Sequence, residues 1–243
     1  VTDSDVDAVT VAYVHANEVA YSWHHSMQQL LMADLGAHRR VMRGGIVAIR
    51  CPSAGQLGDA RNRAVRHFLA GDAPWLFMVD TDMGFDDDVL ERLLDAADPE
   101  ARPVVGALCY ASREVEEDGM GGWRTEATAT IYDWADHNGM GRLEVRCDVP
   151  AGELVACDGT GAACLLVHRS VLERVQERYG AEWFDRIPAR DGSMGEDLSF
   201  CMRARALDVP VHVHTGIRTS HMKTTWLQPA AESVAELAAA AAP

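Results

Sequence analysis

The sequence predicts an α/β fold: one domain with a mostly parallel central sheet, helices on its faces and a small antiparallel insert. Three observations carry this. Trp75–Val79 is an apolar run without polar alternation, which is how a strand covered on both faces reads, and Val9–Val14, Ile46–Ile49 and Val104–Leu108 read as further strands. Helical patterns separate them, and strands alternating with helices predict parallel pairing. At 243 residues, 48% hydrophobic and 24% charged, the chain suffices for one large α/β domain, and no internal repeat or second core is evident.

Taken in order, Val9–Val14 is a first buried strand, with His15-Ala16-Asn17-Glu18 as a loop at its carboxyl end. A helix follows from Ser22 to about Leu35, with Met27, Leu30, Leu31 and Leu35 as its apolar side. His24 and His25 are adjacent and point in different directions, so they make a poor metal pair. Gly44-Gly45 breaks the chain before the strand Ile46–Ile49, and Arg50–Gly55 carries turn chemistry. A helix with Leu57, Ala60, Ala64, Phe68 and Leu69 on one face holds Arg61-Asn62-Arg63 in its first part. Helix N-termini favour anions and arginine can fork onto phosphate; a solvated basic face explains the same residues.

Trp75–Val79 then runs into Asp80-Thr81-Asp82. A strand that delivers Asp-x-Asp to its carboxyl end places both acids at the sheet rim where α/β proteins bind ligands. Carboxylates there suit Mg²⁺ or Mn²⁺, ions that also hold substrate phosphates. Asp86, Asp87 and Asp88 read as acids at a helix start. That helix buries Val89, Leu90, Leu93, Leu94 and Ala97, ends at Pro99, and leads to the strand Val104–Leu108.

The middle changes character. Residues 113–124 are acidic and glycine-rich and read as a mobile loop or lid. Thr128–Tyr132 and Leu143–Arg146, around the Asn138-Gly139 turn, read as antiparallel edge strands. Leu154–Asp158 leads into Gly159-Thr160-Gly161, whose small residues let backbone pass close to a ligand. Ser170 and Glu173 have capping-box spacing. After Trp183-Phe184, a polar loop ends at Gly195-Glu196-Asp197 and a further helix begins. The strand Val211–His214 leads to His221, and 229–243 is an alanine-rich tail.

The formal charge of -15 argues against non-specific nucleic-acid binding. Lys223 is the only lysine. Six cysteines without a C-x-x-C pair read as reduced thiols of a reducing compartment, hence a cytoplasmic location. No signal-peptide or membrane-spanning pattern is visible.

The order of four segments resembles the GT-A-fold glycosyltransferases, similar to the inverting family-2 group and to small relatives in bacteria and their bacteriophages. The segments are Ala-Arg-Asn at 60–62, Asp-Thr-Asp at 80–82, Gly-Thr-Gly-Ala-x-x-Leu-Leu at 159–166, and Gly-Glu-Asp-Leu-Ser-Phe-Cys-Met-Arg-Ala at 195–204, with His221 beyond them. The resemblance implies a single GT-A (Rossmann-like) domain over 1–228. Its nucleotide-binding half would be about 1–110 and its acceptor-binding half about 111–228. It implies a hexosyltransferase-type enzyme that moves a sugar from a nucleotide-diphosphate sugar, a UDP-sugar in the leading reading, to an acceptor hydroxyl with inversion.

The same resemblance implies residue roles. Asp82 and His221 would bind Mn²⁺ or Mg²⁺, with Asp80 holding the donor and helping fix the metal. Val14, His15, Arg61, Asn62 and Thr81 would line the nucleotide side. Asp197 would be the general base and Glu196 its support. Gly159, Thr160, Gly161, Trp183 and Phe184 would shape the sugar and acceptor pocket. The acceptor stays open between a glycan, a protein and a modified nucleobase. Three alternatives also stay open: a retaining enzyme on the same fold, a sugar-phosphate nucleotidyltransferase, and a non-catalytic carbohydrate-binding protein. The nucleotidyltransferase reading lacks its glycine-rich basic loop, since His15-Ala16-Asn17-Glu18 stands there instead.

Overall fold

The computed structural model describes residues 8–117, 122–189 and 192–223. Along the chain the elements are β1 (Val9–His15), α1 (Tyr21–Ala37), α2 (Arg40–Gly44), β2 (Ile46–Arg50), α3 (Leu57–Leu69), β3 (Trp75–Val79), β4 (Met83–Gly84), α4 (Val89–Ala96), β5 (Val104–Leu108), β6 (Tyr110–Glu117), β7 (Gly122–Ala129), β8 (Ile131–His137), β9 (Met140–Val145), β10 (Leu154–Cys157), β11 (Gly159–Thr160), β12 (Cys164–His168), α5 (Arg169–Tyr179), β13 (Pro188–Ala189), β14 (Gly192–Ser193), α6 (Glu196–Arg205), β15 (Val211–Arg218) and β16 (Ser220–His221).

Seven strands form the main sheet in the order β10-β15-β5-β12-β3-β1-β2. β1 pairs parallel with β2 and β3, and β15 pairs parallel with β5. β12 enters antiparallel between β3 and β5, and β10 closes the edge antiparallel to β15. Five strands therefore share one direction, as the alternating pattern predicts. The reversed β12 is what positions the site. Its first residue, Cys164, faces Val79 at the end of β3, so the Gly159–Ala163 segment arrives at the carboxyl rim.

Every residue of β3 is buried, and alternate side chains enter different cores. Leu76 and Met78 join Ala60, Ala64, Phe68, Leu172 and Phe200 on the α3/α5/α6 side. Trp75, Phe77 and Val79 join Trp23, Met27, Leu30, Leu90 and Leu93 on the α1/α4 side. Each large apolar side chain fully buried this way contributes about 1.5–3 kcal/mol of transfer free energy. A strand covered on both faces has little freedom, and that rigidity extends to Asp80, whose N–H donates to the Ala163 carbonyl at 2.9 Å.

Several expectations need correction. Of the residues expected to form a mobile loop at 113–124, 113–117 and 122–124 are strand, and 118–121 lie outside the described residues. Within the described residues, β6 and β7 pair antiparallel from Tyr110↔Ala129 to Glu117↔Gly122. A two-stranded ribbon with solvated sides leaves no alternating apolar signal, which is why its sequence reads as a loop. The piece expected at 128–132 is split at Thr130, where β7 ends and β8 starts. The capping box is also wrong: His168 is the N-cap of α5, its side chain accepting from the Ser170 N–H. Leu35 is exposed, and Trp23 takes a place in the buried face of α1. Asp88 is the N-cap residue of α4 but makes no side-chain cap bond.

The Asn138-Gly139 turn is as expected. Both residues have positive φ, 58° and 79°, the pairing that a two-residue hairpin between β8 and β9 requires. All six cysteines are free thiols; Cys147 is exposed. Among the described residues, no helix is long and apolar enough to cross a membrane. The alanine-rich tail lies outside the described residues.

Candidate active site

Asp82 stands just past the tip of β3, and its partner comes from the other end of the chain. β16 pairs with β4 antiparallel, setting His221 opposite Met83. His221 Nε2 thereby lies 2.9 Å from Asp82 Oδ2, and Lys223 Nζ lies 3.1 Å from the same oxygen. The other ring nitrogen, Nδ1, donates to the Tyr110 carbonyl at 2.6 Å. That bond fixes the ring orientation and directs Nε2 at the carboxylate. The Asp82 bond raises the His221 pKa against the opposing effect of burial. Burial pushes the Asp82 carboxyl up, but the His221 and Lys223 bonds and charges outweigh it, so its pKa is lowered.

Arg61 organises the remaining acids. It projects from α3 and is only 2% exposed. Nη2 donates to both oxygens of Asp80 at 2.8 and 2.9 Å, and Nη1 donates to Glu196 Oε1 at 2.7 Å. Burial lowers the Arg61 pKa, yet Asp80, Glu196 and Asp197 together raise it overall. One guanidinium thus links the strand tip to the start of α6. The expected arginine fork onto phosphate is replaced by a fork onto protein carboxylates. Asn62 is likewise occupied: its amide accepts from Phe184 N at 2.8 Å and donates to Asp185. At 3% exposure it cannot line a nucleotide pocket.

Asp197, at the first turn of α6, is half-buried. Oδ1 accepts from Leu198 N at 2.7 Å. Among the described residues no hydrogen bond reaches Oδ2. Burial raises the Asp197 pKa, partly offset by Arg61 and reinforced by Glu196. Gly161 packs beside it: a Cβ there would stand 3.5 Å from Oδ2 and 3.4 Å from Thr130 Oγ1. Gly159 and Thr160 are buried in β11 next to α6, Thr160 N donating to Cys201 Sγ at 3.5 Å. Trp183 and Phe184 correct the expectation of a pocket wall. Both are 0% exposed. Trp183 Nε1 donates to Leu172 O, and Phe184 stacks on Phe200, so their hydrophobic area went into the core under α3 and α6.

A cleft of about 440 Å³ opens beside these acids. Val14, His15, Asp80, Thr81 and Asp82 line it, together with Cys51-Pro52-Ser53 and Met222. The sequence reading missed Lys223, the Tyr110 carbonyl and the Cys51–Ser53 wall. Lys223 carried one usable signal, as the only lysine, two residues past the histidine. The Tyr110 carbonyl carried none.

The donor set fits a divalent cation. A carboxylate oxygen and an imidazole nitrogen face each other, and the imidazole's second nitrogen is anchored on backbone, the outer contact that metal-binding histidines use. Among the described residues, no group of three or more His, Cys, Asp and Glu closes into a metal cage.

The fold has known counterparts. Over 92% of this chain the structure matches GalNAc-T7, solved with UDP, GalNAc and Mn²⁺, at a TM-score of 0.57 and 10% identity. The fold is that of a GT-A glycosyltransferase. The match covers 44% of the GalNAc-T7 chain, so this chain corresponds to less than half of that protein. A197 from STIV matches with 89% of this chain and 86% of its own covered, at a TM-score of 0.50 and 14% identity. No protein-family model matches the chain, and no curated protein sequence does. In this GT-A fold, Asp82, His221 and the cleft occupy the carboxyl rim of the sheet, and Asp197 starts a helix on the opposite side of Arg61.

Proposed function

We propose that the protein is a metal-dependent glycosyltransferase. It moves a sugar from a nucleotide-diphosphate sugar, a UDP-sugar, to an acceptor hydroxyl with inversion. The observation that carries this is the Asp82–His221 pair, whose imidazole is anchored on the Tyr110 carbonyl and whose carboxylate lines the cleft at the end of β3. The UDP and Mn²⁺ of GalNAc-T7 support the donor and metal classes.

Asp82 and His221 would hold Mn²⁺ or Mg²⁺. When bound, the cation neutralises the diphosphate as it leaves. Asp80, immobilised by Arg61, keeps lone pairs for hydroxyls of the donor's ribose or sugar. Val14, His15, Thr81 and the Cys51–Ser53 wall enclose the nucleoside and exclude water. Asp197 accepts the acceptor O–H proton at Oδ2 as that oxygen bonds to the anomeric carbon and the bond from that carbon to phosphate oxygen breaks. A base is most effective when its pKa approaches the working pH, and burial moves Asp197 that way. Glu196 acts through Arg61 and holds the helix start in place. Gly161 lies beside Oδ2, where a Cβ would come into ordinary contact at 3.5 Å.

Calorimetry with UDP, with and without Mn²⁺, tests the reading. UDP is expected to bind in a Mn²⁺-dependent way, and Asp82→Ala is expected to remove that dependence. UDP binding that ignores Mn²⁺ in the wild-type protein would reject the reading.

A further inference from the structure

A second cavity of about 440 Å³ lies outside the donor cleft. It is bounded by the β6–β7 ribbon, the end of β9 with the segment after it, and the end of β15. Arg113, Arg146 and Arg218 all line it, with Glu126, Ala129 and Cys147. The chain as a whole carries -15, so its long-range field repels anions. An anion would stay only where local cations outweigh that field.

Two of these arginines are uncommitted. Arg146 is bound to Asp133 and to the Ala156 carbonyl. Glu126 already pairs with Arg124. Neither the Arg113 nor the Arg218 guanidinium has an ion-pair or hydrogen-bond partner among the described residues, and both face one cavity. Most other arginines here are engaged, Arg40, Arg61, Arg169, Arg203 and Arg205 among them.

The cavity also adjoins the chemistry. Tyr110, which lines it, supplies the carbonyl that anchors His221. Ala129 lines it too, and the next residue, Thr130, stands with Asp197 around Gly161. Arg218 precedes His221 by three residues.

We propose that this cavity is an oxyanion subsite for the acceptor. Arg113 and Arg218 hold a phosphate or carboxylate borne by the acceptor, since arginine forks match both groups. The protein therefore selects small acidic acceptors over neutral ones. The acceptor role rests on the transferase reading; anion binding in the cavity does not.

Cys147 provides a readout independent of activity, because its exposed thiol lines the same cavity. Cys147 alkylation by iodoacetamide is followed by peptide mass spectrometry in inorganic phosphate, in glucuronate and in chloride, at constant ionic strength. With a Kd of about 1 mM, about 10 mM of the favoured anion slows alkylation about tenfold. Whichever of phosphate or glucuronate protects identifies the acceptor's acidic group. Arg113→Ala with Arg218→Ala is expected to abolish protection. Both residues are exposed, and the unfolding temperature of the double variant is measured alongside. Absence of protection by either anion, or equal protection in the folded double variant, would overturn the subsite. Protection that persists while UDP fails to bind with Mn²⁺ would overturn the acceptor role alone.

Discussion

Two pairs of acids, Asp80 with Asp82 and Glu196 with Asp197, are treated alike by the fold and emerge with opposite chemistry. In each pair the first acid is bound by Arg61 and the second is left for other work. Asp82 then meets His221 and Lys223, which outweigh burial and keep it ionised. Asp197 is dominated by burial, which favours its protonated form. Carboxylates whose pKa values are pushed apart divide into a charge-holding group and a proton-transfer group. In the proposed mechanism a single buried cation shared by both pairs makes that division possible, since each second acid keeps its own surroundings.

Asp197→Asn tests the proton-transfer side and carries the largest expected effect. Transfer should fall by about 10²–10⁴-fold, the range for losing a general base, while Mn²⁺-dependent UDP binding is retained. The acid limb of the wild-type pH–rate profile should lie above the ordinary aspartate range, because burial raises this pKa. The sign for stability follows from the same shift. A carboxyl whose folded pKa is raised penalises the folded state above that pKa, and the penalty vanishes below the unfolded pKa. Asp197→Asn should therefore raise the unfolding temperature at neutral pH, and that gain should shrink on acidification. Full transfer by the variant would end the division of labour.

Asp82→Ala tests the charge-holding side. Loss of Mn²⁺-dependent UDP binding is expected, with transfer reduced by about 10²–10³-fold, comparable to removing one preorganised electrostatic group. Unlike Asp197→Asn, it should affect donor binding itself, so calorimetry separates the two acids.

Arg61→Met tests the shared cation. It leaves Glu196 buried without its closest partner and should destabilise the protein by about 3–5 kcal/mol, measured by urea unfolding. Loss of donor binding with unchanged stability would instead place the guanidinium on the substrate.

Asn62→Ala sharpens the contrast between contact and support. Phe184 N would lose its acceptor, at a cost of about 1–3 kcal/mol, and the UDP affinity should not change. A large loss of affinity at full stability would return Asn62 to the nucleotide pocket.

The two halves of the chain also differ in how far they could be read. β3 and β5 carry unbroken apolar runs because both faces are covered, so the strands are legible in the sequence. The β6–β7 ribbon is solvated and satisfies its backbone by cross-strand pairing, which leaves no period-two apolar trace. Trp183 and Phe184 looked like pocket aromatics, since aromatic residues beside a polar loop suit either a core or a sugar platform.

What the sequence by itself determined is the buried strands, the main helices and the stock of reactive groups: acids at a strand tip, acids at a helix start, a histidine past the last long strand. Tertiary structure alone decided which of those groups meet. Arg61 and Glu196 are 135 residues apart, and Asp82 and His221 are 139. Periodicity and capping act over a few residues, whereas such pairings depend on how β12 reverses and how β16 docks on β4. Each carboxylate acquires its chemistry from those neighbours and from how much water they leave around it.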